Sequence, residues 1–185
     1  MKKVLNKIYL KGKGIGGSFN TFPTYFAIIL ILLVLIFFLW LYPQKLLLAT
    51  DYKSGKYLRS WPIGEGEEFA IVYTHSVELT EVVEDYLIVD HKIILKDTYF
   101  KSYGAGLPAT TPYKFEITEK GFRIYDIDEE MENLIYRTGA ERANHRLLLR
   151  DKEYKFLDFS GPRTGVKLDV KGTNLLFYLV REAFR

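Results

Sequence analysis

The chain has 185 residues, a formal net charge of +3 and no cysteine, which excludes disulfides, thiol catalysis and cysteine-ligated metal sites. Residues 1–21 carry five lysines and no acid, residues 22–42 carry no charge, and the remainder has a net charge of −2. A near-neutral region of mixed charges lacks the concentrated basic face that phosphate backbones require, so no nucleic-acid partner is expected.

The apolar run over residues 22–42 is the first element along the chain. As a helix it would extend about 31 Å, which matches the hydrocarbon thickness of a bilayer. The run is longer than the apolar part of a signal peptide, and no small-residue cleavage site follows it. We therefore predict a transmembrane helix that remains attached to the protein.

The lysines of residues 1–21 set the predicted orientation, because basic flanks stay on the cytoplasmic side. This basic cytoplasmic tail would also contact anionic headgroups, which makes membrane lipid an expected partner. The sequence thus predicts a single-pass protein of the cytoplasmic membrane, with its N-terminus inside and residues 43–185 outside.

After residue 43 the pattern changes to the period-two alternation that is typical of strands. We predict residues 128–132 as an acidic turn, and we interpret residues 174–185, which fit a strand or an amphipathic helix, as a strand. Short strands at about ten-residue spacing predict a mainly β fold, a single antiparallel β-sandwich or open-barrel-like domain. The predicted strands cover residues 45–50, 56–61, 67–75, 80–90, 93–101, 113–118, 122–127, 133–138, 146–150, 154–159 and 166–170.

A polar cluster joins the two strongest predicted strands, and it supplies most candidate functional residues. A hydrolase would use Ser76 as nucleophile with a histidine base, but no Gly-x-Ser-x-Gly elbow surrounds it. A metal site would need ligand spacing that the segment does not show. We favour backbone-capping roles, and we expect no cofactor and no metal. The candidates are His75, Ser76, Glu78, Thr80, Glu84 and His145.

A Gly- and Pro-containing segment after the strand 93–101 is the second candidate. Its glycines permit backbone angles that other residues avoid, or close approach of another chain. It fits a contact loop for a ligand or partner, and it also fits an architectural crossover, which we favour. The residues of this candidate contact loop are Ser102, Tyr103, Gly104, Ala105, Gly106, Leu107 and Pro108.

Three motifs carry a family resemblance. His75-Ser-Val-Glu-Leu-Thr80, Phe100-Lys-Ser-Tyr-Gly-Ala-Gly-Leu-Pro108 and Ala143-x-His145-x-Leu147 occur in order along the chain. They resemble the signatures of domain-of-unknown-function family 1850. The resemblance implies an accessory role beside TRAP-type transporters of the TAXI class, which import carboxylates with a periplasmic binding protein. It implies no known reaction and no catalytic residue.

Two functional hypotheses follow. The first is a membrane-anchored extracytoplasmic accessory or binding domain, whose partner is a TRAP-type carboxylate permease or its solute-binding protein. The second is a hydrolase or metal-dependent enzyme centred on His75, Glu78 and His145. We expect the non-catalytic role, since residue types without motif spacing are weak evidence for chemistry.

Overall fold

The computed structural model describes residues 21–101, 110–119, 121–139 and 142–184. Helix α1 spans Thr21–Leu41, within one residue of the predicted bounds at each end. Its stretch Pro23–Leu41 is long and apolar enough to cross a membrane, and none of its side chains is buried. Both a membrane anchor and a signal sequence have these properties. The predicted tail, apart from Thr21, lies outside the described residues.

The described residues after α1 form two antiparallel sheets, as period-two alternation predicted. One sheet has four strands in the order β2-β1-β12-β9, and the other has the order β11-β10-β3-β4-β5-β7-β6, with the short strand β8 also paired to β5. This mainly β, sandwich-like arrangement confirms the predicted fold class. The strands are β1 (Pro43–Asp51), β2 (Tyr57–Pro62), β3 (Glu68–Thr74), β4 (Glu81–Val89), β5 (Lys92–Phe100), β6 (Lys114–Thr118), β7 (Gly121–Tyr125), β8 (Glu129–Met131), β9 (Leu134–Arg137), β10 (Arg146–Leu149), β11 (Lys152–Lys155) and β12 (Gly165–Asn174).

The main core lies between the two sheets, because inward-facing residues of both contribute to one buried cluster. The four-stranded sheet supplies Leu47 and Leu168, and the eight-stranded sheet supplies Ile71, Ile88 and Leu147, all fully buried. Burial of such side chains contributes about 1.5–3 kcal/mol each before entropic costs, so this cluster holds the sheets together.

The antiparallel register brings the described parts of the three motifs, residues 75–80, 100–101 and 143–147, to one end of the eight-stranded sheet. β3 ends at Thr74 where β4 begins at Glu81, and these two residues are paired. β5 ends at Phe100, which is paired with Val82 on β4, and β10 begins at Arg146, which is paired with Val72 on β3. We call this edge, where residues 75–80, 100–101 and 142–145 meet, the motif end.

Three predicted elements were wrong. Residues 128–132 are not only a turn, because Glu129–Met131 pair with Ile93–Leu95 as β8. The strand predicted at 154–159 ends at Lys155, and a 3-10 helix follows over Phe156–Asp158, since burial of Phe156 turns the chain inward. The strand predicted over residues 174–185 is mostly a helix: β12 ends at Asn174, and helix α2 spans Leu175–Ala183.

Candidate functional site

The β3–β4 connection is fixed by hydrogen bonds of its own backbone and of one imidazole. The His75 N–H donates to the Thr80 carbonyl at 2.8 Å, and the Leu79 N–H donates to the His75 carbonyl at 3.0 Å. The Glu78 N–H donates to Nδ1 of His75 at 3.2 Å. The ring of His75 therefore acts as an acceptor that shapes the turn, which is the backbone-capping role favoured from the sequence.

The tip of this connection presents apolar side chains to solvent. Val77 is 66% exposed and Leu79 is 61% exposed, while Ser76 beside them is also exposed. Leu79 has a φ of 54°, a left-handed conformation that costs free energy for a residue with a Cβ. The loop thus holds a leucine in a strained conformation and leaves its side chain uncovered.

Glu84 lies at an inward position of β4 and accepts hydrogen bonds from three tyrosines. The Tyr73 hydroxyl donates to Oε1 at 3.2 Å, and the Tyr86 hydroxyl donates to Oε2 at 3.1 Å. Tyr136 donates to the same Oε2, and its hydroxyl lies 2.7 Å from that of Tyr86. Because Tyr136 belongs to β9, this Glu84 cluster joins the two sheets through polar groups within the core.

His145 packs against the Glu84 cluster without a hydrogen bond to it. Its ring stacks on Tyr73, with centroids 5.4 Å apart and planes inclined by 18°, and it also contacts Tyr136 and Phe156. Its Nδ1 is buried and has no hydrogen-bond partner among the described residues. Burial lowers the pKa of His145, so the imidazole is neutral at physiological pH and serves as a flat packing surface.

The electrostatics of the Glu84 cluster keep its tyrosines protonated. Burial, together with the charge of Glu84, raises the pKa of Tyr73 and of Tyr86. Burial also raises the pKa of Tyr136, and Tyr86 and Glu84 add to that rise. Three neutral donors supply hydrogen bonds to one half-buried carboxylate, which offsets the cost of removing that group from water.

The structure brings together only part of the predicted site. Glu84 and His145 share contacts with Tyr73 and Tyr136, whereas His75, Ser76 and Thr80 belong to the β3–β4 connection. No hydrogen bond joins Ser76 to a histidine in the described ranges. Within the same ranges, no group of three or more His, Asp or Glu side chains is arranged to hold a metal ion. The predicted loop Ser102–Pro108 lies outside the described residues.

Sequence reasoning missed the tyrosines of the Glu84 cluster. One signal was available, because Glu84 interrupts the inward alternation Val82, Tyr86 and Ile88 on β4, all three of which are buried. A carboxylate at an inward position requires donors. Which of the 14 tyrosines supply them depends on strand order, and β9 and β4 belong to different sheets.

The comparisons with known proteins add a family match. The family model described as Domain of unknown function (DUF1850) matches residues 69–156, slightly less than half of the chain. Neither curated proteins nor solved structures gave a match. The matched range begins in β3, ends just after β11, and contains all three motifs and the Glu84 cluster. Over residues 69–156, the chain is therefore similar to DUF1850, as the motifs predicted.

Proposed function

We propose that the protein is a membrane-anchored, extracytoplasmic binding domain that docks on a component of a membrane transport system through its motif end. The main support for this proposal is the exposed apolar tip of the β3–β4 connection. Its hydrogen bonds hold Val77 and Leu79 at the surface, and Leu79 adopts a left-handed conformation. Backbone strain that surrounding contacts maintain is a feature of binding sites, and exposed apolar side chains on a fixed loop suit a protein partner.

The second part of the proposal is that helix α1 anchors the β-domain to the membrane, and the composition of α1 supports it. The helix is predominantly apolar and contains no Asp, Glu, Lys, Arg or His, so it has no charged side chain with which to conduct a solute. Lysines alone supply the charge of residues 1–21, which favours a cytoplasmic N-terminus. A retained anchor would confine residues 43–185 to the outer surface and raise their effective concentration near other membrane proteins.

The Glu84 cluster supports binding over catalysis. Its carboxylate is engaged by three tyrosine hydroxyls, and its neighbour His145 is stacked between rings. These groups stabilise the contact between the sheets beneath the motif end. A general base or nucleophile needs access to a reacting atom. Because three tyrosine hydroxyls already donate to the Glu84 carboxylate, we assign this carboxylate a structural role as a hydrogen-bond acceptor.

The partner we propose is a TRAP-type carboxylate importer, either its permease or its solute-binding protein. The support for this partner is the resemblance of the three motifs alone, which is an association and not a mechanism. The structural feature that would contact it is the apolar tip of the β3–β4 connection. The candidate contact loop Ser102–Pro108 lies outside the described residues, and its part in binding stays a prediction from the sequence.

Photo-cross-linking in intact cells tests this function. A photoreactive amino acid at Val77 should give an adduct with an integral membrane protein or a periplasmic binding protein, which mass spectrometry identifies. The matched control is Ile135 on β9, which is also apolar and 48% exposed but lies on the other sheet. Adducts of equal yield from both positions, or none from Val77, would refute docking through the motif end. Carboxylate uptake after gene deletion separates TRAP-type partners from others.

A further inference from the structure

A pocket of about 440 Å³ lies away from the motif end, between strand β2, the β10–β11 turn and helix α2. The turn joins β10 to β11 at Leu149, which is paired with Phe69 near the start of β3, whereas the motif end lies beyond the end of β3. The volume is in the range of small-molecule sites. Its lining includes Arg59, Trp61, Lys152, Tyr154, Tyr178 and Glu182.

Arg59 is the feature that distinguishes this pocket. Its guanidinium carbon lies 4.9 Å from the ring centroid of Tyr154 and 5.5 Å from that of Trp61, and these two rings are 5.3 Å apart. Stacking on aromatic faces holds the guanidinium plane and leaves its N–H groups available at the edge. Arg59 and Trp61 are two residues apart on β2, so the strand places both on one face.

The other half-buried arginines in the described part of the chain are paired with carboxylates. Arg123 contacts Asp97 at 2.6 Å and Glu116 at 3.0 Å, and Arg146 contacts Glu81 and Glu153. Arg59 has no hydrogen-bond or ion-pair partner within the described ranges. A partly desolvated guanidinium without an anion is unfavourable, and a bound carboxylate would relieve that cost.

Glu182, one of the two acidic residues in the pocket lining, is already engaged by other donors. Glu182 accepts from the Tyr57 hydroxyl at 2.6 Å and from the Ser60 hydroxyl at 3.3 Å, which fastens α2 to β2. Trp61 is 4% exposed, and its indole N–H has no acceptor among the described residues. The pocket wall therefore contains unmet donors beside an acid that is already engaged.

We propose that this pocket binds a small organic anion with one carboxylate, which Arg59 holds while the half-buried ring of Tyr154 contacts its apolar body. Lys152 and Arg150 add positive charge at the turn, although Arg150 is already bound to Glu67. Asp151 and Glu182 in the same lining disfavour a ligand with two or more charges. The proposal does not depend on the docking function proposed for the motif end.

Tryptophan fluorescence of the full-length protein in detergent tests this site. Because Trp40 and Trp61 are the two tryptophans, a Trp40→Phe background reports on Trp61 alone. The probes are acetate, benzoate, the neutral analogue benzamide and inorganic phosphate, at constant ionic strength. We expect a saturable change with at least one carboxylate, and none with benzamide or phosphate.

The variant Arg59→Gln should weaken that binding by about tenfold or more, because it removes a charge-assisted hydrogen bond. Arg137→Gln on β9 is the matched control, since Arg137 is exposed and lies outside the pocket. If Arg59→Gln fails to fold, Arg59→Lys keeps the charge and loses the planar fork, and it too should bind more weakly. No saturable change with either carboxylate, equal binding by folded Arg59 variants, or preference for phosphate would overturn the proposal.

Discussion

Glu84 shows at the residue scale how one polar side chain can organise a core. It lies between Val82 and Tyr86 on the inward face of β4, where both neighbours are buried. Tyr136 reaches it from the other sheet. A half-buried carboxylate in this place stabilises the fold only while its donors are present, because a desolvated acceptor without hydrogen bonds is costly.

Tyr136→Phe tests the Glu84 cluster. The change removes the hydroxyl that donates to Glu84 and contacts the Tyr86 hydroxyl, while the ring can still pack. We expect the free energy of unfolding to fall by about 1–3 kcal/mol, because the half-buried Glu84 carboxylate loses one of its donors. Urea unfolding of the full chain in detergent measures it. Tyr52→Phe is the control, since Tyr52 is 56% exposed, and an equal loss there would contradict the account.

The pH dependence of stability tests His145. Burial lowers the pKa of His145 in the folded state, so below the ordinary value near 6.5 the unfolded chain binds a proton that the folded chain does not. The folded state should therefore lose stability as the pH falls from about 7 to about 5, and His145→Phe should reduce that loss.

The measurement compares urea midpoints of the wild type and His145→Phe across this pH range. His91→Asn is the matched control, because His91 is exposed in the β4–β5 turn and asparagine tolerates its positive φ. An unchanged pH slope in His145→Phe, or the same reduction in His91→Asn, would show that His145 is not the titrating group.

At the scale of the elements, the strands predicted correctly are those whose sequence signal lies within the strand and its adjoining turn. The strands predicted at 67–75, 80–90, 113–118 and 122–127 are present as β3, β4, β6 and β7, because alternation and turn residues are local signals. β8 was missed because its sequence, mostly acidic, shows no apolar alternation. It forms by pairing with Ile93–Leu95 of β5, a stretch that β7 does not cover because β7 pairs only with Thr98–Phe100. The partners of Glu84 and the lining of the Arg59 pocket likewise come from segments far apart in sequence.

Helix α2 was missed because its start was not recognised. Asn174 has an extended backbone and caps the helix, since its side chain accepts from the Phe177 N–H at 2.9 Å. Asparagine at this position is a helix-start signal that outweighs the apolar run after it. The helix then brings Tyr178 and Glu182 to the pocket.

Asn174→Ala should therefore lower the free energy of unfolding by about 1 kcal/mol, because it removes the cap. Asn174→Asp keeps an acceptor and should retain most of the stability. Thermal unfolding of both variants, followed by circular dichroism, provides the comparison. A change of equal size in the two variants would exclude the cap as the cause.

At the scale of the whole molecule, the proposed binding function requires the β-domain to be anchored at the outer side of the membrane. The apolar helix α1 fits a retained anchor, and the cysteine-free sequence permits topology mapping with single introduced cysteines. Lys53→Cys places a thiol in the exposed β1–β2 turn, and Asn6→Cys places one among the lysines of the N-terminal segment.

Labelling intact cells with a membrane-impermeant maleimide, followed by mass measurement of the labelled chain, tests the central claim most directly. We expect Lys53→Cys to be labelled in intact cells, on a chain of full length that stays with the membrane after alkaline extraction. We expect Asn6→Cys to be labelled only after the cells are permeabilised. Labelling with the opposite pattern, or a labelled chain that lacks the N-terminal helix, would contradict a retained anchor with an outer binding domain.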